Sequence, residues 1–212
     1  MTGTPKSFQE SLWRGDFGDA YVDRNEIDHA AIAARLAAWA QMLRPLAGDP
    51  PTSLLEVGAN VGRNLRALQR LTSATLYALE PNAKARERLV KDKIVDADKA
   101  LDGIASQIPM ADGSVDLAFT VGVLIHVHPD DLLASMKEIY RVSRKYIVCA
   151  EYFADKPMEV PYRGQTEALF KRDFGSYYLD NFPKLKVVDY GFFWNRTTSL
   201  DNTTWWVFEK LI

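Results

Sequence analysis

From residue 53 onward the chain alternates between two kinds of segment, and this alternation restricts the fold more than any other feature. SLLEV (53–57) is an apolar run broken by one glutamate, and GRNLRALQRL (62–71) after it reads as an amphipathic helix. The pattern then repeats. ATLYALE reads as a strand, PNAKARERLVK as a helix and KIVDA as a short strand. SVDLAFTVGVL reads as a strand, PDDLLASMKEIYRVS as a helix with Pro-Asp-Asp in its first turn, and KYIVCAEYF as the next strand. Continuous apolar strands separated by helices predict a parallel sheet covered on both faces. Right-handed crossovers make that sheet open and doubly wound, an α/β architecture. The end departs from the pattern. KLKVVDYGFFW and NTTWWVFEKLI are two strand-like runs joined by a short polar link, so a hairpin is expected and the last strand should run antiparallel.

Before the alternating region, residues 1–24 are polar and aromatic with scattered glycines. A helix is expected over residues 25–46, with Ile27, Ala31, Ala34, Leu36, Trp39 and Leu43 near helical spacing. Gly48-Asp49-Pro50-Pro51 breaks the chain. The expectation is a single domain over 1–212, with a helical cap at 1–48 and a core at 49–212. The chain has 212 residues, enough to bury a sizeable core. Its formal charge of −2 argues against a nucleic-acid partner. No apolar stretch approaches the ~20 residues that span a membrane, and the N-terminus lacks a signal-peptide core. A cytoplasmic protein is expected, a monomer or a homodimer. The lone cysteine, Cys149, forbids a disulfide within the chain and reads as a buried structural thiol.

The stretch LLEVGANVGRN carries the chemistry. In such a sheet, ligands sit outside the carboxyl ends of the strands, so Gly58 and Gly62 should border the crevice. Glycine lets the backbone turn sharply and lets a ligand approach closely. Yet neither phosphate-binding pattern is present: no Lys-Ser or Lys-Thr follows, and the Gly-x-Gly-x-x-Gly spacing is absent. Glu56, two residues before Gly58, suits a cationic ligand better than a pyrophosphate. S-adenosylmethionine fits, with a sulfonium, an ammonium, a carboxylate and no phosphate. Glu80, at the end of the second strand, can accept both ribose hydroxyl protons. A nicotinamide dinucleotide would want the same acid, and only the first loop disfavours it.

These residues carry a resemblance. EVGANVGRN, YALEPN and MADGSVDLAFTVGVLIHV resemble successive motifs of class I S-adenosylmethionine-dependent methyltransferases, across roughly residues 50–150. That family implies a Rossmann-like fold with a mostly parallel seven-stranded sheet whose last strand is antiparallel. LWRGDFGDAYVDRN, GANVGRNLRAL, GVLIHVHPDDL, AEYFADKPMEVPYRGQTEALFKRDF and VVDYGFFWNR resemble, over nearly the whole chain, the methylase family associated with pseudaminic acid biosynthesis. The resemblance implies that Glu56, Gly58, Asn60 and Gly62 form the methionine-binding loop. Asn60 tolerates a positive φ. Arg63 and Asn64 open a helix whose terminal amides favour the methionyl carboxylate. Glu80 would hold the ribose, with Pro81 and Asn82 on the adenine side. Ile104 stands where the wider superfamily often has an acid for the adenine amine. Backbone groups near Ala105, with Ser106 beside it, are expected to serve instead, and Asp102 is an alternative. Val121 and Gly122 would border the methyl donor. His126 matches a family histidine and could take a proton from a hydroxyl or amine. His128 reads as a solvated helix-entry residue, and no metal site is expected.

Two walls remain for the acceptor. Trp13, Phe17, Tyr21 and Arg24 are expected to fold over the cofactor mouth and exclude water. After the fifth strand, Glu151, Tyr152, Tyr162, Arg163, Lys171 and Arg172 form the other wall. Arg163 could bind the carboxylate of a nonulosonic sugar in bidentate fashion, and Glu151 and Tyr152 lie nearest the chemistry. Arg196, near the final hairpin turn, is a weaker candidate. The expected activity is methyl transfer to oxygen or nitrogen of a small polar metabolite. The alternatives are a non-catalytic cofactor-binding protein and a methyltransferase for another natural product or nucleic acid.

Overall fold

The structure, a computed structural model, describes residues 7–25 and 27–211. Residues 1–6 of the expected cap, Glu26 of the expected helix and the terminal Ile212 lie outside the described residues. Three helices precede the sheet: α1 (Phe8–Arg14), α2 (Asp16–Arg24) and α3 (His29–Leu43). Ser7 accepts from the amide of Glu10 and Asp28 from that of Ala31, pairing amides that a helix start leaves open. The Asp28 cap explains why α3 is shorter than the expected 25–46 helix. At its other end Arg44–Leu46 tightens into a 3-10 turn around Pro45.

The alternating region folds as expected into β1 (Ser53–Val57), α4 (Arg63–Leu71), β2 (Thr75–Leu79), α5 (Ala83–Lys91), β3 (Ala100–Leu101), β4 (Val115–Val121), α6 (Pro129–Val142) and β5 (Ser143–Glu151). One expected strand is displaced. KIVDA (93–97) forms no ladder: Lys93 takes a left-handed φ of 57°, and the amide of Ile94 bonds back to the carbonyl of Leu89. Ile94 and Val95 are therefore buried as the hydrophobic end of α5, and pairing with β2 is left to Ala100 and Leu101.

Beyond β5 come β6 (Met158–Glu159), β7 (Phe170–Lys171), α7 (Phe174–Asn181), β8 (Leu185–Phe193), α8 (Asn195–Thr198) and β9 (Thr203–Lys210). The main sheet has seven strands in the order β3-β2-β1-β4-β5-β9-β8. β9 is antiparallel to both its neighbours, and the other pairings are parallel. Successive strand residues feed opposite faces. Leu54, Phe119, Val148 and Trp205 pack on the α3–α4 side with Trp39, Leu65 and Leu68. Leu55, Ala118, Ile147 and Cys149 pack on the α6–α7 side with Met136, Ile139 and Tyr178. Strand order reverses between β1 and β4, which opens a crevice at their carboxyl ends.

Candidate active site

A cleft of about 570 Å³ lies at that reversal, with Glu56, Gly58, Glu80 and Gly122 along its floor. Gly58 has φ 75°, and a Cβ there would come within 2.7 Å of the Val123 side chain. Asn60 also takes a left-handed φ, 47°, and its amide donates to Glu80 Oε2 at 2.7 Å. Its side-chain Oδ1 is buried without a partner. Gly62 serves the fold rather than the cleft. It has φ 73° at the start of α4, and a Cβ there would lie 2.4 Å from Leu89 of α5. It is absent from the cleft lining, so its expected role in ligand approach is replaced by helix packing.

Glu56 is buried. Its Oε1 accepts from Asn64 Nδ2 at 2.7 Å, and Asn64 in turn accepts from the Trp39 indole at 3.3 Å. Its Oε2 has no partner. Burial pushes the Glu56 carboxyl up to about 8, and nearby Glu80 adds to the shift against the bond from Asn64. Glu80 is held by two backbone amides, of Asn82 at 2.8 Å and Asn60 at 2.7 Å. Burial raises its pKa, and those amides oppose the rise.

The cap is tied to this floor. Asn82 Oδ1 caps α5 through the amide of Ala85, while Nδ2 donates to the Trp13 carbonyl and to Asp19. Arg14 donates to the Pro81 carbonyl at 3.0 Å and pairs with Asp102 at 2.7 Å. Arg86 also reaches Asp102, at 3.2 Å. Asn82 and the Oδ1 of Asp102 thus hold α1 and α2 against α5, and Asp102 is not among the residues lining the cleft. Trp13, Tyr21 and Arg24 do line the cleft, as do Pro81, Ala105, Ser106, Val121, Arg63 and Asn64.

His126 lies in a 3-10 turn after β4, with its ring 5.1 Å from Trp13 and 4.9 Å from Tyr162. Its Nδ1 is 2.5 Å from the Ala168 carbonyl. Nδ1 therefore carries the proton and donates it, which leaves the Nε2 lone pair available. Burial lowers the His126 pKa, against the pull of that carbonyl, so the ring is neutral near pH 7. Tyr152 donates to Asp201 Oδ2 at 2.9 Å. Burial and then the Asp201 charge raise its pKa, so it stays a hydroxyl and is no base.

The rest of the second wall is rearranged. Glu151 is fully buried and faces away from the cleft, where its carboxylate accepts from the amides of Val123, Leu124 and Ile125 at 3.1–3.3 Å. It holds the turn that carries His126 and does not reach the reacting atoms. Burial pushes it up to about 7, opposed by those amides. Tyr162 and Gln165 bridge across a two-residue turn in which Arg163 (φ 50°) and Gly164 (φ 80°) are both left-handed. That turn brings Tyr162 and Arg163 to the cleft. Lys171 and Arg172 line a separate cavity of about 260 Å³ behind the His126 turn. Arg172 stacks 3.7 Å over Tyr177, and Lys171 lies 5.4 Å over Tyr152. Arg196 is exposed in α8, outside the cleft lining. Two lining residues, Arg35 and Asp201, escape a reading by motif. Arg35 sits in the middle of an alanine-rich helix and Asp201 in a polar link, and neither has a local signature.

Residues 55–148 match the family model described as a methyltransferase domain. No curated protein matches the chain. Among solved structures, 1,6-didemethyltoxoflavin-N1-methyltransferase from Burkholderia thailandensis, with bound 1,6-didemethyltoxoflavin and S-adenosylhomocysteine, is 17% identical with a TM-score of 0.70, covering 100% of this chain and 94% of that one. A Leishmania major SAM-dependent methyltransferase is 19% identical with a TM-score of 0.73, covering 98% and 87%. Magnesium protoporphyrin IX methyltransferase from Synechocystis, with bound SAM, is 12% identical with a TM-score of 0.64, covering 98% and 100%. At such identities the likeness carries the fold. The matched methyltransferase domain runs through the very strands that frame the cleft, on a Rossmann-like sheet.

Proposed function

We propose that the enzyme methylates a hydroxyl or amine on a small, anionic, polar metabolite, of the class that includes nonulosonic sugars and their derivatives. The observation that carries the cofactor half is the unpartnered Oε2 of Glu56. A buried polar group left unpaired costs about 1–3 kcal/mol, and more when charged. An ammonium meets that oxygen. Arg35 lies within electrostatic reach of Glu56 and forms no ion pair among the described residues; its Nη1 donates to the Ala31 carbonyl. Burial, then Arg63, lowers its pKa, with Glu56 and Asp201 opposing the fall. A ligand carboxylate would add a direct ion pair to Arg35, which has none among the described residues. Glu56 and Arg35 together, with Arg63, suit the zwitterionic end of S-adenosylmethionine. Glu80 keeps lone pairs for two ribose hydroxyls, because each oxygen accepts only one amide.

When bound, the cofactor supplies an electrophilic methyl on its sulfonium. The chain aligns the acceptor and handles its proton. His126 Nε2 takes the proton from the acceptor hydroxyl or amine, and the Ala168 carbonyl fixes the tautomer. The rings of Trp13 and Tyr162 flank His126 and exclude water. Arg163, at the cleft mouth, is the candidate for an acceptor carboxylate. Mass spectrometry of free and nucleotide-activated nonulosonates, incubated with enzyme and S-adenosylmethionine, should show products heavier by one methyl group. Methylation of neutral acceptors only would overturn the anionic class.

A further inference from the structure

The turn that carries His126 is capped from another strand. The chain leaves β4 through Gly122, with φ 65°, and enters the 3-10 turn Leu124–His126. The amides of His126 and Val127 close that turn on the carbonyls of Val123 and Leu124. The amides of Val123, Leu124 and Ile125 have no partner within it, as is usual for the first amides of a helical turn. Val123 offers no side-chain cap. Glu151, the last residue of β5, meets all three. Its Oε1 accepts from Val123 at 3.2 Å and from Leu124 at 3.1 Å, and its Oε2 accepts from Ile125 at 3.3 Å.

This cap fits a carboxylate and not a carboxylic acid. Protonation turns one oxygen into a donor, and an amide on that oxygen then faces another donor. Glu151 is fully buried and paired in the ladder with Thr204 of β9, so it cannot follow the turn. Burial pushes its carboxyl up to about 7, which places the exchange between the two forms near neutral pH. The groups that face it come from the elements packed around it. Cys149 of β5 and Tyr178 of α7 are raised well above their ordinary values, chiefly by burial, and stay neutral. Thr120 of β4 lies beside the carboxyl and does not ionise. Beyond Cys149, the Asp173 carboxylate caps α7 by accepting from the Ser176 amide at 2.9 Å. Burial lowers the pKa of His126 itself, so its own charging lies below this range.

We infer that Glu151 is a positioning residue for His126: as a carboxylate it holds the turn that keeps the ring on the Ala168 carbonyl, and on taking up a proton it lets that turn go. The catalytic meaning of this coupling rests on the reading of His126 as the base, proposed above. An acid limb in the pH–rate profile then reports Glu151, a residue that touches no reacting atom. The ring contacts with Trp13 and Tyr162 do not replace the cap, because they fix the ring and leave the three amides unpaired.

Nitrogen-15 NMR of the wild type and of Glu151→Gln, titrated from pH ~5.5 to ~8.5, tests this without any acceptor. In the wild type the amide signals of Val123, Leu124 and Ile125 should move together with a midpoint of about 7. The His126 ring-nitrogen signals, which mark the tautomer held by Ala168, should lose their fixed pattern over the same range. In Glu151→Gln the three amides should not titrate, because a side-chain amide takes up no proton there. Its ring-nitrogen pattern should match that of the acid form of the wild type at every pH. Amides that do not move together in the wild type, or that keep the same midpoint in Glu151→Gln, overturn the inference. Amides that titrate while the ring-nitrogen pattern stays fixed also overturn it, leaving Glu151 a cap with no hold on His126. The wild-type titration decides both points by itself if Glu151→Gln does not fold. An unchanged kcat in His126→Gln would remove His126 as the base and leave the coupling between Glu151 and the turn standing.

Discussion

The first turn and the acceptor wall face each other across one cleft, but they are built differently. In the first turn nearly every polar group that could hold the cofactor also holds the fold. Glu80 accepts from Asn60 and Asn82, Asn64 links Glu56 to Trp39, and Asn82 caps α5 while tethering the cap. Across the cleft, Tyr162 and Arg163 are placed by ring contacts and by a hairpin turn that little else depends on, while His126 rides on the turn that Glu151 holds and is oriented by the Ala168 carbonyl. Binding and folding are therefore coupled on the first side and separable on the second. The cofactor half can tolerate few substitutions, while the acceptor half is free to change specificity.

Removing the proposed base should produce the largest effect and keep the two sides separate. His126→Gln should lower kcat by about 10²- to 10⁴-fold, the usual share of general base catalysis. Affinity for S-adenosylhomocysteine should change by less than about twofold, because no cofactor group depends on Nε2. A parallel loss of cofactor affinity would move His126 into the cofactor pocket and break the contrast.

Glu80→Ala should show the coupling on the other side. It removes the ribose contacts and also leaves the Asn60 and Asn82 amides unpaired, at about 1–3 kcal/mol each. Calorimetry should read ~100-fold weaker cofactor binding, and thermal denaturation should show a lower Tm in the free protein. Weaker binding with an unchanged Tm would mean that the first turn is not coupled to the fold.

The contrast also bears on what could be read in the residues. The strand–helix alternation and the antiparallel β9 follow from apolar periodicity, which needs no knowledge of contacts. Gly58, Asn60 and Glu80 were legible because backbone conformation and strand-end position are local properties. Gly62 was misassigned because its reason, the approach of Leu89, is a contact over distance. Glu151 fell beneath the cleft instead of into it because three amides of the Val123–Ile125 turn claim its carboxylate. Lys171 and Arg172 line the cavity behind the His126 turn instead of the cleft, with Arg172 stacked on Tyr177 of α7. Arg35 and Asp201 enter the cleft only through tertiary packing, so no spacing in the chain announces them.

A milder effect should appear with pH. Burial holds the Glu56 carboxyl at about 8, so it is protonated at pH 7 in the free protein. An ammonium partner requires the charged form. Affinity for S-adenosylhomocysteine should rise by up to about tenfold per pH unit from pH ~6 to ~8, then level as the ligand's own amine loses its proton. Binding at pH 7 should release a proton, read as a calorimetric enthalpy that varies with the buffer. The stability of the free protein should run the other way. A carboxyl raised above its unfolded value of ~4.3 contributes below that value and loses its contribution as pH rises through the folded pKa. Glu56→Gln should flatten both trends, and trends that survive in it would assign the titration to another group.

The smallest effect should come from Arg163, and it tests the separable side most directly. Its guanidinium lies 5.6 Å over the Tyr162 ring at the edge of the cleft, and its left-handed φ of 50° is a small local strain. Arg163→Gly relieves that strain and removes the charge. The Tm should therefore hold or rise slightly, and cofactor affinity should not change. What should change is the KM for an anionic acceptor, upward by about tenfold for one lost charge-assisted contact, with kcat nearly constant. Arg163→Lys should recover only part of the loss, because an ammonium cannot make the paired bonds of a guanidinium. A fall in kcat at constant KM would instead place Arg163 among the groups that align the acceptor for reaction, and the acceptor wall would then share the dual character of the first turn.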